Sequence, residues 1–116
     1  SVSHDSHNIV AVGIGDADII RAVAEVVRIG GGLAVVSGSD MTVLPLECAG
    51  LMSALPYGEV VQRLAALEEH ARRLGSIVNP FMYLSFLALT VIPDLRVTER
   101  GVFDVRAFVD ASLFSE

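Results

Sequence analysis

Asn8-Ile9-Val10-Ala11-Val12-Gly13-Ile14, then Asp16 to Arg28, then Gly30-Gly31-Gly32-Leu33-Ala34-Val35-Val36-Ser37, is the stretch that decides the fold class. Its first seven residues are β-branched and nearly all apolar, the pattern of a short strand covered on both faces. Gly15-Asp16-Ala17-Asp18 breaks the run. Asp16 is a candidate N-cap, and Asp18 puts negative charge where a helix dipole favours it. Ile19, Ala22, Val23, Val26 and Val27 recur at helical spacing, with Arg21, Glu25 and Arg28 toward the other face. The three glycines end this helix, since glycine tolerates the left-handed conformation. Leu33 to Ser37 reads as a second strand. A right-handed crossover then predicts a β-α-β unit with parallel strands.

Outward from this unit, Ser37-Gly38-Ser39-Asp40 predicts a hairpin turn into an edge strand, Met41 to Leu46, that Pro45 helps to end. The clearest helix starts near Pro56 and runs to Leu74, before Gly75. Val60, Leu64, Leu67, Ala71 and Leu74 form its apolar stripe, and His70 falls toward the exposed side. Glu59-Arg63, Glu68-Arg72 and Glu69-Arg73 are spaced as i,i+4 ion pairs. Residues 80–92 are apolar and ambiguous between helix and strand. Leu95 to Thr98 and Val102 to Val105 read as a hairpin around Glu99-Arg100-Gly101, and the apolar tail Phe108 to Phe114 is expected to dock on a neighbour. The expected class is α/β, on the boundary with α+β. A mixed sheet would start with the β-α-β unit, and two main helices, at about 16–29 and 56–74, would pack mainly on one face.

Composition bounds the function. The 116 residues make one domain, residues 1–116, too short for a (β/α)₈ barrel. An apolar fraction of 53% with 19% charged residues demands a folded core. Net charge is −6, and all eight cations are arginine, with no cluster beyond Arg72-Arg73. That balance disfavours nucleic acid and anionic membranes as partners. No stretch is long and apolar enough for a membrane span. Cys48 is a lone cysteine, expected to be buried and inert. The opening Ser1-Val2-Ser3-His4-Asp5 reads as a cut in a longer polypeptide or a tag remnant.

The densest polar cluster is His4-Asp5-Ser6-His7-Asn8. His4 and His7 are weak metal-ligand candidates: they would share a face only in a helix, and a catalytic metal usually takes three protein ligands. A loop giving one polar contact to a neighbouring site, or a satisfied surface cluster, are the other readings. Gly13-Ile14-Gly15 lacks the third glycine of a dinucleotide fingerprint, and Asp16 and Asp18 would repel a pyrophosphate. A tight turn explains it better. The glycine triplet has a plain capping explanation. There is no nucleophile elbow, P-loop or Cys-x-x-Cys motif. The residues by themselves describe an α/β module without a self-sufficient active site.

Several blocks do resemble a known family. Ser3-His4-Asp5-Ser6-His7-Asn8-Ile9, Ile29-Gly30-Gly31-Gly32-Leu33, and Leu44-Pro45-Leu46 through Ala49-Gly50-Leu51-Met52-Ser53 are similar to the C-terminal region of bacterial adenine deaminases of the amidohydrolase superfamily. So are Asn79-Pro80-Phe81-Met82 with Leu84-Ser85-Phe86-Leu87-Ala88-Leu89, and Val91 to Leu95 with Thr98-Glu99-Arg100-Gly101. The resemblance covers nearly the whole chain, in the family's order.

It implies a parent hydrolase, cytoplasmic and engaged in purine salvage, that converts adenine to hypoxanthine and ammonia. A divalent metal (Mn, Fe or Zn) in a (β/α)₈ barrel would activate the attacking water. The barrel's ligands find no match in this sequence, so no cofactor is expected here and the chain alone is expected to be inactive. Its partner would be the catalytic barrel of the same polypeptide, with adenine as the parent's substrate and a homo-oligomer open. His4, Asp5, His7 and Asn8 are the candidates for lining the barrel mouth. The competing readings are a small-molecule-binding or regulatory module at Gly13–Gly15, and an oligomerisation module presenting Phe81–Leu89 or Phe108–Phe114.

Overall fold

Local chemistry explains most of the observed elements. The computed structural model describes residues 1–3 and 5–114. Helix α1 spans Asp16–Arg28, with Asp16 and Asp18 in its first turn. Gly15, not Asp16, is the N-cap, and no side chain caps the end. Asp18 instead accepts from the Gly38 amide, and Arg21 donates to the Gly38 carbonyl. The helix closes with the Gly31 amide on the Val26 carbonyl and the Gly30 amide on that of Val27. This is a Schellman ending, with Gly30 at a positive φ of 74°. Val26 is buried, but Val27 is exposed.

The triplet is more than a cap. A Cβ on Gly31 would stand 2.4 Å from the Gly50 Cα, and one on Gly32 would stand 2.4 Å from the Leu44 carbonyl oxygen. Both positions exist because backbones touch there.

Strand β1 (Gly32–Ser37) pairs antiparallel with β2 (Asp40–Pro45), from Gly32 opposite Pro45 to Ser37 opposite Asp40. The two-residue loop Gly38-Ser39 closes the hairpin, and Gly38 supplies the positive φ of 53°. A two-stranded sheet is marginal alone, so a helix must cover it. Helix α2, Tyr57–Arg73, does so. Val35, Leu44, Leu46, Leu67 and Ala71 form the core, with Leu33, Leu55, Val60, Leu64 and Phe81 packed against them. Leu67 is fully buried at its centre. Leu74 of the expected stripe is half exposed. Outside, Arg63 pairs with Glu59, while Arg72 and Arg73 both go to Glu69 rather than Arg72 to Glu68.

The ambiguous apolar stretch resolves as helix α3, Pro80–Leu87, opened by Asn79 in the left-handed region. Strands β3 (Leu95–Thr98), β4 (Gly101–Asp104) and β5 (Val109–Ala111) form a separate antiparallel sheet in the order β3-β4-β5. The Thr98 hydroxyl shapes the first turn by donating to the Gly101 carbonyl and accepting from the Arg100 amide. Asp104 shapes the second by accepting from the amides of Arg106 and Ala107. Phe103 and Phe108 meet edge to face, with centroids 5.3 Å apart.

Helices and strands are thus combined as the class requires, but the expected start is corrected. Residues 8–14 form no strand, and both described sheets are antiparallel, so there is neither a β-α-β unit nor a mixed sheet among the described residues. The edge of β1 at Gly32 is taken by Ser1, whose amine donates to the Gly32 carbonyl and whose hydroxyl accepts from its amide. Beyond it, a cavity of about 90 Å³ lies among Ser3, Asn8–Val12, Ala34, Ala22 and Val26. The apolar run lies beside β1 without pairing. The helices do not share a face either: Val35 belongs to the α2 core, whereas Ala34, on the alternate side, shares the cavity wall with α1. In the tail, β5 pairs with β4 and Phe108 packs edge to face on Phe103, but Phe108, Leu113 and Phe114 remain largely exposed.

Candidate functional site

In the polar cluster before residue 9, the described residues Asp5 to Asn8 follow a turn. Ser3 is buried, its hydroxyl lies 3.2 Å from that of Ser6, and its carbonyl accepts the His7 amide at 2.9 Å. Asp5 (φ 63°) and His7 (φ 52°) both sit in the left-handed region. Each such residue costs about 1 kcal/mol or more unless its surroundings impose it. Here the Ser3 carbonyl and hydroxyl hold the turn while Asp5, Ser6, His7 and Asn8 face outward. The loop is anchored from below and presents polar groups above.

Across from it runs a second segment. Asp5, Ser6 and Asn8 share a cleft of about 310 Å³ with Leu89, Thr90, Thr98 and Glu99. The cleft therefore joins the N-terminal loop to the exit of α3 and the β3–β4 turn, segments about 90 residues apart in sequence. Of the four candidates, Asp5 and Asn8 line it. His7 does not, and His4 lies outside the described residues. Thr90, Thr98 and Glu99 received no role from sequence reasoning. The only hint was the Thr98-Glu99-Arg100-Gly101 block, and no local pattern says that a hairpin turn will face a distant loop. What converges is a set of hydroxyl, amide and carboxylate groups, suited to hydrogen bonding a polar ligand or an adjoining backbone.

No group of three or more His, Cys, Asp and Glu side chains among the described residues is placed to hold a metal ion. His70 is buried, correcting its expected exposed position. Its Nδ1 is 2.9 Å from the Thr42 hydroxyl of β2, which makes it a core residue with a partner. Cys48 is exposed, not buried: it sits in the turn where its amide bonds to the Met52 carbonyl. In the same turn Glu47 accepts the Ala54 amide at 3.1 Å. Its own backbone amide, then that of Ala54, holds the Glu47 carboxyl below the usual carboxylate range. Gly13-Ile14-Gly15 leads into α1 with Ile14 wholly exposed.

A family model described as the adenine deaminase C-terminal domain matches residues 1–109. This chain belongs to that family. A protein named adenine deaminase from Methanoculleus marisnigri is 85% identical over 116 residues, covering all of this chain and 22% of the relative. One of the same name from Methanoregula boonei is 60% identical over 114 residues, covering 98% of this chain and 20% of the relative. Another, from Dehalococcoides mccartyi, is 51% identical over 110 residues, covering 93% and 19%. The chain thus spans about a fifth of the length of the curated relatives it matches. No solved structure matches it.

Proposed function

We propose that this chain serves as the C-terminal domain of an enzyme that hydrolyses adenine to hypoxanthine and ammonia, and that it does not catalyse the reaction by itself. The observation that carries the reading is the 85% identity across the whole chain to only 22% of a protein named adenine deaminase. The parent's divalent metal (Mn, Fe or Zn) would supply an activated water from a catalytic barrel domain of the same polypeptide. The described residues of this chain do not make a site for such an ion. The domain's own contribution is to bind and position.

On this reading the His4–Asn8 loop faces the catalytic domain and supplies a polar contact near the substrate. Support comes from its construction: outward polar groups on a turn anchored by buried Ser3, with Asp5 and Asn8 opening onto a cleft. His4 and His7 are the residues proposed for the substrate side, and Thr98 and Glu99 the far wall of the same polar surface. A cytoplasmic location and a role in purine salvage belong to the same proposal. Homo-oligomer formation is favoured by the exposure of Met82, Tyr83, Phe108 and Phe114, and sedimentation of the longer polypeptide tests it.

The deciding experiment has two arms. This chain, incubated with adenine and Mn²⁺, is expected to release no hypoxanthine above background, whereas the longer polypeptide does. Turnover by the isolated chain would refute the reading. In the longer polypeptide, His4→Ala or His7→Ala is expected to lower kcat/KM about 100-fold if the loop touches substrate or a group that moves its protons. Unchanged kinetics for both variants would remove the loop from the active site.

A further inference from the structure

The run from Ile9 to Ile14 has the composition of a strand yet pairs with no described residue. It is β-branched and apolar, and no hydrogen bond joins Asn8–Ile14 to another described residue. Ile9, Val12 and Ile14 are 40%, 76% and 107% exposed. An exposed strand edge is normally protected by charge, proline or a bulge. From Asn8 to Gly15 there is no charged residue and no proline. A neutral, apolar, unpaired segment of this kind accepts another strand.

The geometry says where that strand comes from. Ser1–Ser3 and Asn8–Val12 wall the same cavity, and Ser1 is held against the β1 edge at Gly32 and against the Gly50 carbonyl. The relatives are about five times as long and the matching family model is described as a C-terminal domain, so most of their polypeptide is expected on the Ser1 side of the matched part, the side of the unpaired run. We propose that Ile9–Ile14 is completed as a strand by the polypeptide that precedes Ser1 in the longer protein, so that domain and body are joined by a shared backbone ladder. This rests on the reading of the chain as one domain of that protein. It also specifies how the adjoining loop is held: pairing along residues 9–14 fixes the position of His7 and Asn8 from their C-terminal side.

Hydrogen exchange followed by mass spectrometry tests it, comparing peptides over residues 9–14 in this chain and in the longer polypeptide. Exchange is expected to slow at least ~100-fold in the longer polypeptide. Equal, fast exchange in both overturns the proposal. Slow exchange already present in the dilute isolated chain would mean pairing within the chain, and slowing that grows with its concentration would mean pairing with a second copy; both overturn it. In the longer polypeptide, Val12→Pro, which removes a ladder donor, is expected to lose the protection that Val12→Thr keeps. If the proline variant does not fold, the comparison of the unaltered proteins still decides. Adenine hydrolysis is assayed on the same preparation: its absence refutes the functional reading and leaves the strand result standing, and the reverse holds.

Discussion

At the scale of single residues, burial follows from partners across the fold more than from the polarity of the residue itself. His70 is polar, yet the α2 face it shares with Leu67 and Ala71 packs on the hairpin, and Thr42 offers a hydroxyl there. Thr42→Val keeps the shape and removes the hydroxyl, leaving a buried ring nitrogen unpaired. A loss of about 1–3 kcal/mol is expected in urea denaturation, and pairing it with His70→Leu is expected to recover part of that loss. Cys48 shows the converse. An apolar type with a strong burial preference is exposed because its turn bonds to Met52 and points outward. Neither placement has a local signature. The same holds for Glu99, legible as a turn residue but not as a wall of the cleft.

At the scale of elements, helices and hairpins were largely readable. The periodicity of α1 and α2, the Gly38-Ser39 turn and the Gly30 ending all act over fewer than five residues, where propensity and capping operate directly. Residues 80–87 were not readable by period, because an apolar surround hides the stripe; Pro80 after Asn79 sets the helix. The connection from β2 to α2 is shaped by one carboxylate. Because the folded Glu47 carboxyl titrates below its ordinary range, its stabilising effect is present above that range and fades as pH falls through the lowered value. The Ala54 amide resonance is therefore expected to move on acidification at a pH below the usual carboxylate midpoint. Glu47→Gln is expected to abolish that step.

At the scale of the whole molecule, the chain is elongated, 47 × 28 × 26 Å, with a radius of gyration of 15.0 Å. A compact chain of this length has about 13 Å. The excess reflects two unequal parts: a hairpin with α2 around Leu67, and the β3–β5 sheet, in which no residue is fully buried. Because every cation is arginine, trypsin reads this difference directly. The first cuts are expected after Arg100 and Arg106, whose ion pairs to Asp110 and Asp94 are exposed, while Arg63 within α2 stays protected until late. Cutting at Arg63 as early as at Arg100 would show that the core offers no more protection than the sheet.

Residue order alone determined the two long helices, the hairpins and the kinship with adenine deaminases, because these depend on contacts within a few residues or on identity along the chain. Tertiary structure alone decided that Ile9–Ile14 lies beside β1 unpaired, that His70 is a core residue, and that Asp5, Ser6 and Asn8 share a cleft with Thr98 and Glu99. Each of these depends on which distant backbone comes alongside. A strand's propensity says that a segment can pair, but its hydrogen bonds form only where another edge is present.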